Sequence, residues 1–218
     1  MAMLSRKTGY DRYRLMQDAA RAREKGKSKK ALSLYRRVLE IEPENPDLHR
    51  KVAPLFAQTK QPSEARSSYM RAVSALERDG FTEQATGLYR EALNYMPRDV
   101  ELWAALADLQ VKRRQRPDAV KTLLDGRRRF RGRENRPHAI RLLLRACEVE
   151  PYHFDATFDL AGLLAKSPGG SRRAFDLLER LAARTRGGRL RRIRGRQFWL
   201  APGFRSAGRW LRAHVRGR

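Results

Sequence analysis

The chain has 218 residues, 33% of them charged and 41% hydrophobic, with a formal net charge of +25. A mean hydropathy of −0.74 suits a thin structure with much surface, while the apolar fraction argues against disorder along the whole chain. No 18 uncharged apolar residues follow one another, and Asp11, Arg12 and Arg14 interrupt any apolar run behind Arg6 and Lys7; neither a membrane-spanning helix nor a leader peptide is expected.

In chain order, a 3.6-residue apolar period predicts about ten helices separated by short polar breaks. The first carries Leu15, Ala19 and Ala22 and stops at Gly26; the second carries Ala31, Leu34, Tyr35 and Val38 and closes at Pro43. Asn45-Pro46-Asp47 opens the third, because asparagine caps well and proline is welcome at the first helical position. Its apolar face is Leu48, Val52, Ala53 and Leu55, with Pro54 inside, where a kink is expected. Pro62 opens a helix with Ala65, Tyr69, Ala72 and Leu76, which ends at Gly80. Then Ala85, Leu88, Tyr89 and Ala92 run to Pro97. The pattern now repeats. Leu102, Leu106, Ala107 and Leu109 answer the Leu48 helix. Ala119, Leu123, Gly126 and Phe130 answer the Tyr69 helix, and Ala139, Leu142, Leu143 and Ala146 run to Pro151. A third round holds Ala156, Leu160, Ala161 and Leu163, then Ala174, Leu178 and Leu181 after a one-residue insertion near Gly169-Gly170. Pro43, Pro97 and Pro151 lie 54 residues apart, so the unit of repetition is three helices. Such a period means an array of small units, each burying its apolar face on its neighbours. No segment alternates with a period of two, so no sheet is expected.

Trp103, Leu106 and Ala107 followed by Ala119, and the runs Gly80-Ala85-Tyr89-Ala92-Pro97 and Gly26-Ala31-Tyr35-Val38-Pro43, make the chain resemble the tetratricopeptide repeat family over residues 12–184. The resemblance implies an all-α solenoid of antiparallel helices wound as a right-handed superhelix, with a concave groove that holds a peptide or partner helix. The family repeat is about 34 residues and two helices, so here the middle helix of each period serves two overlapping repeats. Which helices line the groove stays open. The expected organisation is an N-terminal segment over 1–8, a repeat domain over 9–184 and an arginine-rich segment over 185–218.

No constellation for catalysis or metal binding is legible. His49, His138, His153 and His214 have no i,i+4 partner and read as surface or edge residues. Cys147, the only cysteine, reads as a packed side chain in a reducing, cytoplasmic setting. The expectation is a protein that is not an enzyme and needs no cofactor. Candidate groove residues are Arg50, Lys51 and Gln58 on one helix, with Lys112 and Arg113 near the end of the next of its kind. They suit a protein or peptide partner with acidic character.

Charge supplies the other candidates. Arg127, Arg128, Arg129, Arg131 and Arg133 exceed what the dipole of one helix end can use. Beyond Glu179 no acid remains, and residues 180–218 hold 13 arginines. Arg189, Arg191, Arg192, Arg194 and Arg196 precede Trp199, and Arg205, Arg209, Arg212 and Arg216 accompany Trp210. Three readings of this segment stand side by side. It binds nucleic acid by stacking and phosphate neutralisation, it lies on an anionic membrane surface, or it completes the helical array.

Overall fold

A computed structural model of the protein describes residues 2–202 and 204–215, with side chains from residue 11 onward apart from those of 204–206 and 214–215. The all-α expectation holds: the described residues form twelve helices and no strand. They are α1 (Ala2–Glu24), α2 (Ser28–Leu39), α3 (Pro46–Gln58), α4 (Pro62–Arg78), α5 (Thr82–Tyr95), α6 (Val100–Lys112), α7 (Arg116–Arg127), α8 (Arg136–Val149), α9 (Phe154–Ala165), α10 (Ser171–Ala182), α11 (Gly187–Leu200) and α12 (Phe204–Val215). The sequence led us to expect about ten. The surplus lies in the arginine-rich segment, whose Arg and Leu are good helix formers, and it forms α11 and α12.

The chain divides into two compact units, Met1–Leu102 and Trp103–Arg218. Within the first, α1 packs on α2, α3 on α4 and α4 on α5, and α5 also touches α3. Within the second, α7 packs on α8, α8 on α9, α9 on α10, α10 on α11 and α11 on α12. The short connections make successive helices antiparallel.

The 54-residue period is written into the backbone. Asn45, Asp99 and His153 stand one period apart, and each caps a helix that follows a proline loop. The Asn45 Oδ1 accepts from the amides of Asp47 and Leu48, and the Asp99 Oδ1 accepts from those of Glu101 and Leu102. At the third site, the His153 Nδ1 accepts from the Ala156 amide at 3.3 Å. At the far ends of these helices Lys60, Arg114 and Gly169 adopt left-handed backbone with φ of 61°, 61° and 68°. Gly26 and Gly80, one period apart, are left-handed as expected of helix stops. Pro54 does not end its helix, for α3 continues through it to Gln58.

Alanine occupies the crossings. Ala31, Ala53, Ala65, Ala85, Ala107 and Ala119 are wholly buried, beside buried Tyr35, Tyr69 and Tyr89. In α2 the buried leucine is Leu32, and Leu34, expected on the apolar face, is only partly covered. One crossing in the second unit uses glycine: a Cβ at Gly126 would stand 2.7 Å from the Trp103 ring. His49 departs from the surface role expected of it. It is buried, with Nε2 2.8 Å from the carbonyl of Pro43. That ties the start of α3 to the preceding proline loop.

Two substitutions test this account by chemical denaturation. Gly126→Ala pushes against an indole and is expected to cost about 1–3 kcal/mol. His153→Asp replaces a weak cap with a strong one and is expected to add about 0.5–1 kcal/mol.

Candidate functional site

The second unit carries a groove. A cavity of about 790 Å³ opens between α6, α8 and the turn before α10, with Ala104, Ile140 and Leu144 among its apolar lining. A smaller cavity of about 360 Å³ lies between α8, α9 and α10 and shares Leu144 and Glu148 with the first. The groove therefore follows α6, α8 and α10, every second helix. In the first unit a cavity of about 380 Å³ is lined by α2 and by Thr59 and Gln61 of the turn between α3 and α4.

The rim is basic. Arg133, Arg136, Arg141 and Arg145 line the larger cavity against two carboxylates, Asp108 and Glu148. Arg145 bridges both acids, donating to the Asp108 Oδ1 at 2.7 Å and to the Glu148 Oε2 at 2.8 Å. These bonds, Glu148's first, hold its guanidinium still more firmly protonated than usual. Arg136 donates to the carbonyl of Lys166. Leu144 is 41% exposed and lies where the two cavities meet. This is a long, open, apolar floor under a cationic rim. Cys147, in the smaller cavity, has its thiol pushed up by burial, which suits packing rather than nucleophilic work. Among the described residues no group of three or more His, Cys, Asp or Glu is placed to hold a metal ion, and no helix is long and apolar enough to cross a membrane.

The residues singled out from sequence are scattered. Arg50, Lys51 and Gln58 lie on α3 and are not among the residues lining these three cavities, and Gln58 accepts from the Ser28 hydroxyl at 2.7 Å. Lys112 ends α6 and Arg113 follows it, also outside the cavity linings. The five-arginine cluster divides. Arg127 pairs with Asp159 and Arg128 with Asp125, Arg129 and Arg131 are exposed, and Arg133 enters the groove rim. Sequence reasoning missed Arg136, Arg141, Arg145, Ile140 and Leu144. All five are on α8, and only its even position in the array marks that helix as a lining one.

Four of the five arginines of α11 have partners in the fold, although Arg189 and Arg192 stay exposed. Arg189 and Arg192 lie over the Phe154 ring, and Arg192 and Arg196 over Phe158, the last at 3.7 Å. Phe154 and Phe158 stack on α9 at 5.4 Å to make this platform. Arg196 also donates to the Phe158 carbonyl at 2.6 Å. Glu179 on α10 is the other anchor. It accepts from Arg194 and Gln197 of α11 at 2.5 Å each and from Arg209 of α12 at 3.1 Å. Ile193 of α11 is wholly buried. Arg191 is half-buried, Arg212 donates to the Gly208 carbonyl of its own helix, and Trp199 and Trp210 are described below. The Arg205 side chain and all of Arg216 lie outside the described residues.

No family model matches the chain, and no curated protein matches it. Among solved structures it is similar to a tetratricopeptide repeat protein from Bacteroides fragilis, at 13% identity and a TM-score of 0.46 over 94% of this chain and 98% of that one. Another such protein, from Parabacteroides merdae, is 17% identical with a TM-score of 0.34 over 96% and 94%. MamA is 15% identical with a TM-score of 0.34 over 90% and 92%.

Burial pushes the Glu179 carboxyl up, but the Gln197 hydrogen bond and the Arg194 and Arg209 charges outweigh it and hold the group below its ordinary 4.5. The stability this node contributes is therefore complete above that value and is lost as pH falls through the depressed one. Thermal melts across about pH 3–7 check this. Glu179→Gln should lower Tm by about 2–4 °C at neutral pH, and the gap to wild type should close in acid.

Proposed function

We propose that the chain is a scaffold, not a catalyst, and that the groove along α6, α8 and α10 holds an acidic segment of a protein partner. The observation that carries this is the pairing of an apolar floor at Ala104, Ile140 and Leu144 with a rim holding four arginines against two acids. An extended peptide would set an aliphatic side chain against Leu144 and its carboxylates against Arg133 and Arg141, where charge-assisted bonds to guanidinium are strong and directional. Arg145, already bridging Asp108 and Glu148, ties α8 to α6 through Asp108. The single cysteine agrees with a reducing, cytoplasmic setting for such a complex.

Fluorescence anisotropy with a labelled peptide of about ten residues rich in Glu and Leu tests the reading. Arg133→Ala combined with Arg141→Ala should weaken binding about tenfold, and added salt should weaken wild-type binding. Leu144→Asp should abolish it by placing a like charge on the floor. Equal binding of a lysine-rich peptide, or no change in the double variant, would overturn the assignment.

A further inference from the structure

The last two helices carry a feature that neither the groove nor the packing of the array uses. Trp199, near the end of α11, is 83% exposed. Its ring meets Phe198 edge-on at 6.1 Å, and Phe198 in turn stacks on Trp210 of α12 at 6.3 Å. Trp210 is 36% exposed and its neighbour Leu211 54%. A tryptophan ordinarily hides most of its large apolar surface, and among the described residues no element of this unit covers Trp199. The aromatic row therefore ends in an indole presented to solvent.

Apart from Glu179, which Arg194 and Arg209 already hold, the charge of this segment is of one sign. Residues 180–218 contain 13 arginines and no acid. We propose that the α11–α12 hairpin is a docking surface for an anionic lipid bilayer, with Trp199 entering the headgroup layer and arginines of the hairpin facing the lipid phosphates and carboxylates. Indole rings concentrate at that depth because one edge is apolar and the other donates a hydrogen bond, and a basic helix with tryptophan lies in the interface plane. Cations near such a surface gain from its negative potential.

The same geometry disfavours single-stranded nucleic acid as the occupant. That role needs open guanidinium groups along the strand and separate ring faces for successive bases. Here Arg189, Arg192 and Arg196 cover Phe154 and Phe158, Arg194 and Arg209 are held by Glu179, and Phe198 and Trp210 stack on each other. What remains presented is one indole, Leu211, the exposed edges of Arg189, Arg192 and Arg212, and half-buried Arg191.

The test is sedimentation of the full chain with vesicles of phosphatidylcholine alone or mixed with phosphatidylserine, at fixed salt. Binding is expected to the mixed vesicles only. Trp199→Ala keeps every charge and should weaken it about tenfold, and Arg212→Gln about fivefold. A blue shift of tryptophan emission on mixed vesicles should vanish in Trp199→Phe while Trp103 and Trp210 remain, and this readout stands even if one variant folds poorly. Equal partition to both vesicles, no partition, or full binding by Trp199→Ala overturns the proposal. So does Trp199-dependent binding of a single-stranded oligonucleotide, or Trp199-dependent self-association, without vesicle binding.

Discussion

Two helices approach to about 8–10 Å only where the side chains at their crossing are small, and here alanine stands at the crossings period after period. Ala31, Ala85 and Ala139, the same place in successive periods, are at most 1% exposed. The tyrosine or leucine one turn on fills the adjoining space: Tyr35, Tyr89 and Leu143 are at most 3% exposed. No helix in such an array buries its stripe alone, so each depends on its neighbours for stability. Gly126 against Trp103 shows the limit of the scheme, where even a methyl group would meet the indole at 2.7 Å.

A three-helix period laid on a two-helix alternation has a consequence for the groove. The lining helices of the second unit, α6, α8 and α10, are the first, third and second kinds of the period. The groove wall therefore does not repeat. An ordinary two-helix repeat would bring the same kind of helix, and so much the same side chains, to the wall each time. Here each lining helix is free to carry its own chemistry, and α8 carries the arginines and Leu144.

The arginines also divide by what they touch. Those of α11 serve the fold through the Phe154–Phe158 platform and Glu179. A cation over an aromatic face is worth about 0.5–2 kcal/mol depending on desolvation, so three such residues are a sizeable share of what holds α11 in place. In register, α11 stands one period beyond α8, with Phe198 close to the place of Tyr89 once the insertion is counted. The arginines of α8 have fold partners too, Asp108 and Glu148 for Arg145 and the Lys166 carbonyl for Arg136, but they also line a cavity. Equal charge in the sequence thus corresponds to different work in the two helices.

Helix class, period, the Asn45 cap and most of the core were legible in the sequence, because they depend on local backbone rules and on a stripe that recurs every 3.6 residues. The spacing of Pro43, Pro97 and Pro151 placed the loops, and Asn45 announced its helix. The cap at His153 was hidden because a neutral imidazole is an uncommon acceptor there, although its register with Asn45 and Asp99 could have revealed it. The groove was not legible. Arg50 and Arg141 look alike in one dimension, both exposed positions on amphipathic helices, and only the alternation of packed helices puts Arg141 on a cavity and leaves Arg50 off it. Nor could composition separate Arg196, lying on Phe158, from an arginine waiting for an anion. Secondary structure is set by near neighbours in the chain. Which charge is satisfied within the fold and which faces outward is set by residues 15 to 38 positions away, such as Glu179 for Arg194 and Phe158 for Arg196, and so by tertiary structure alone.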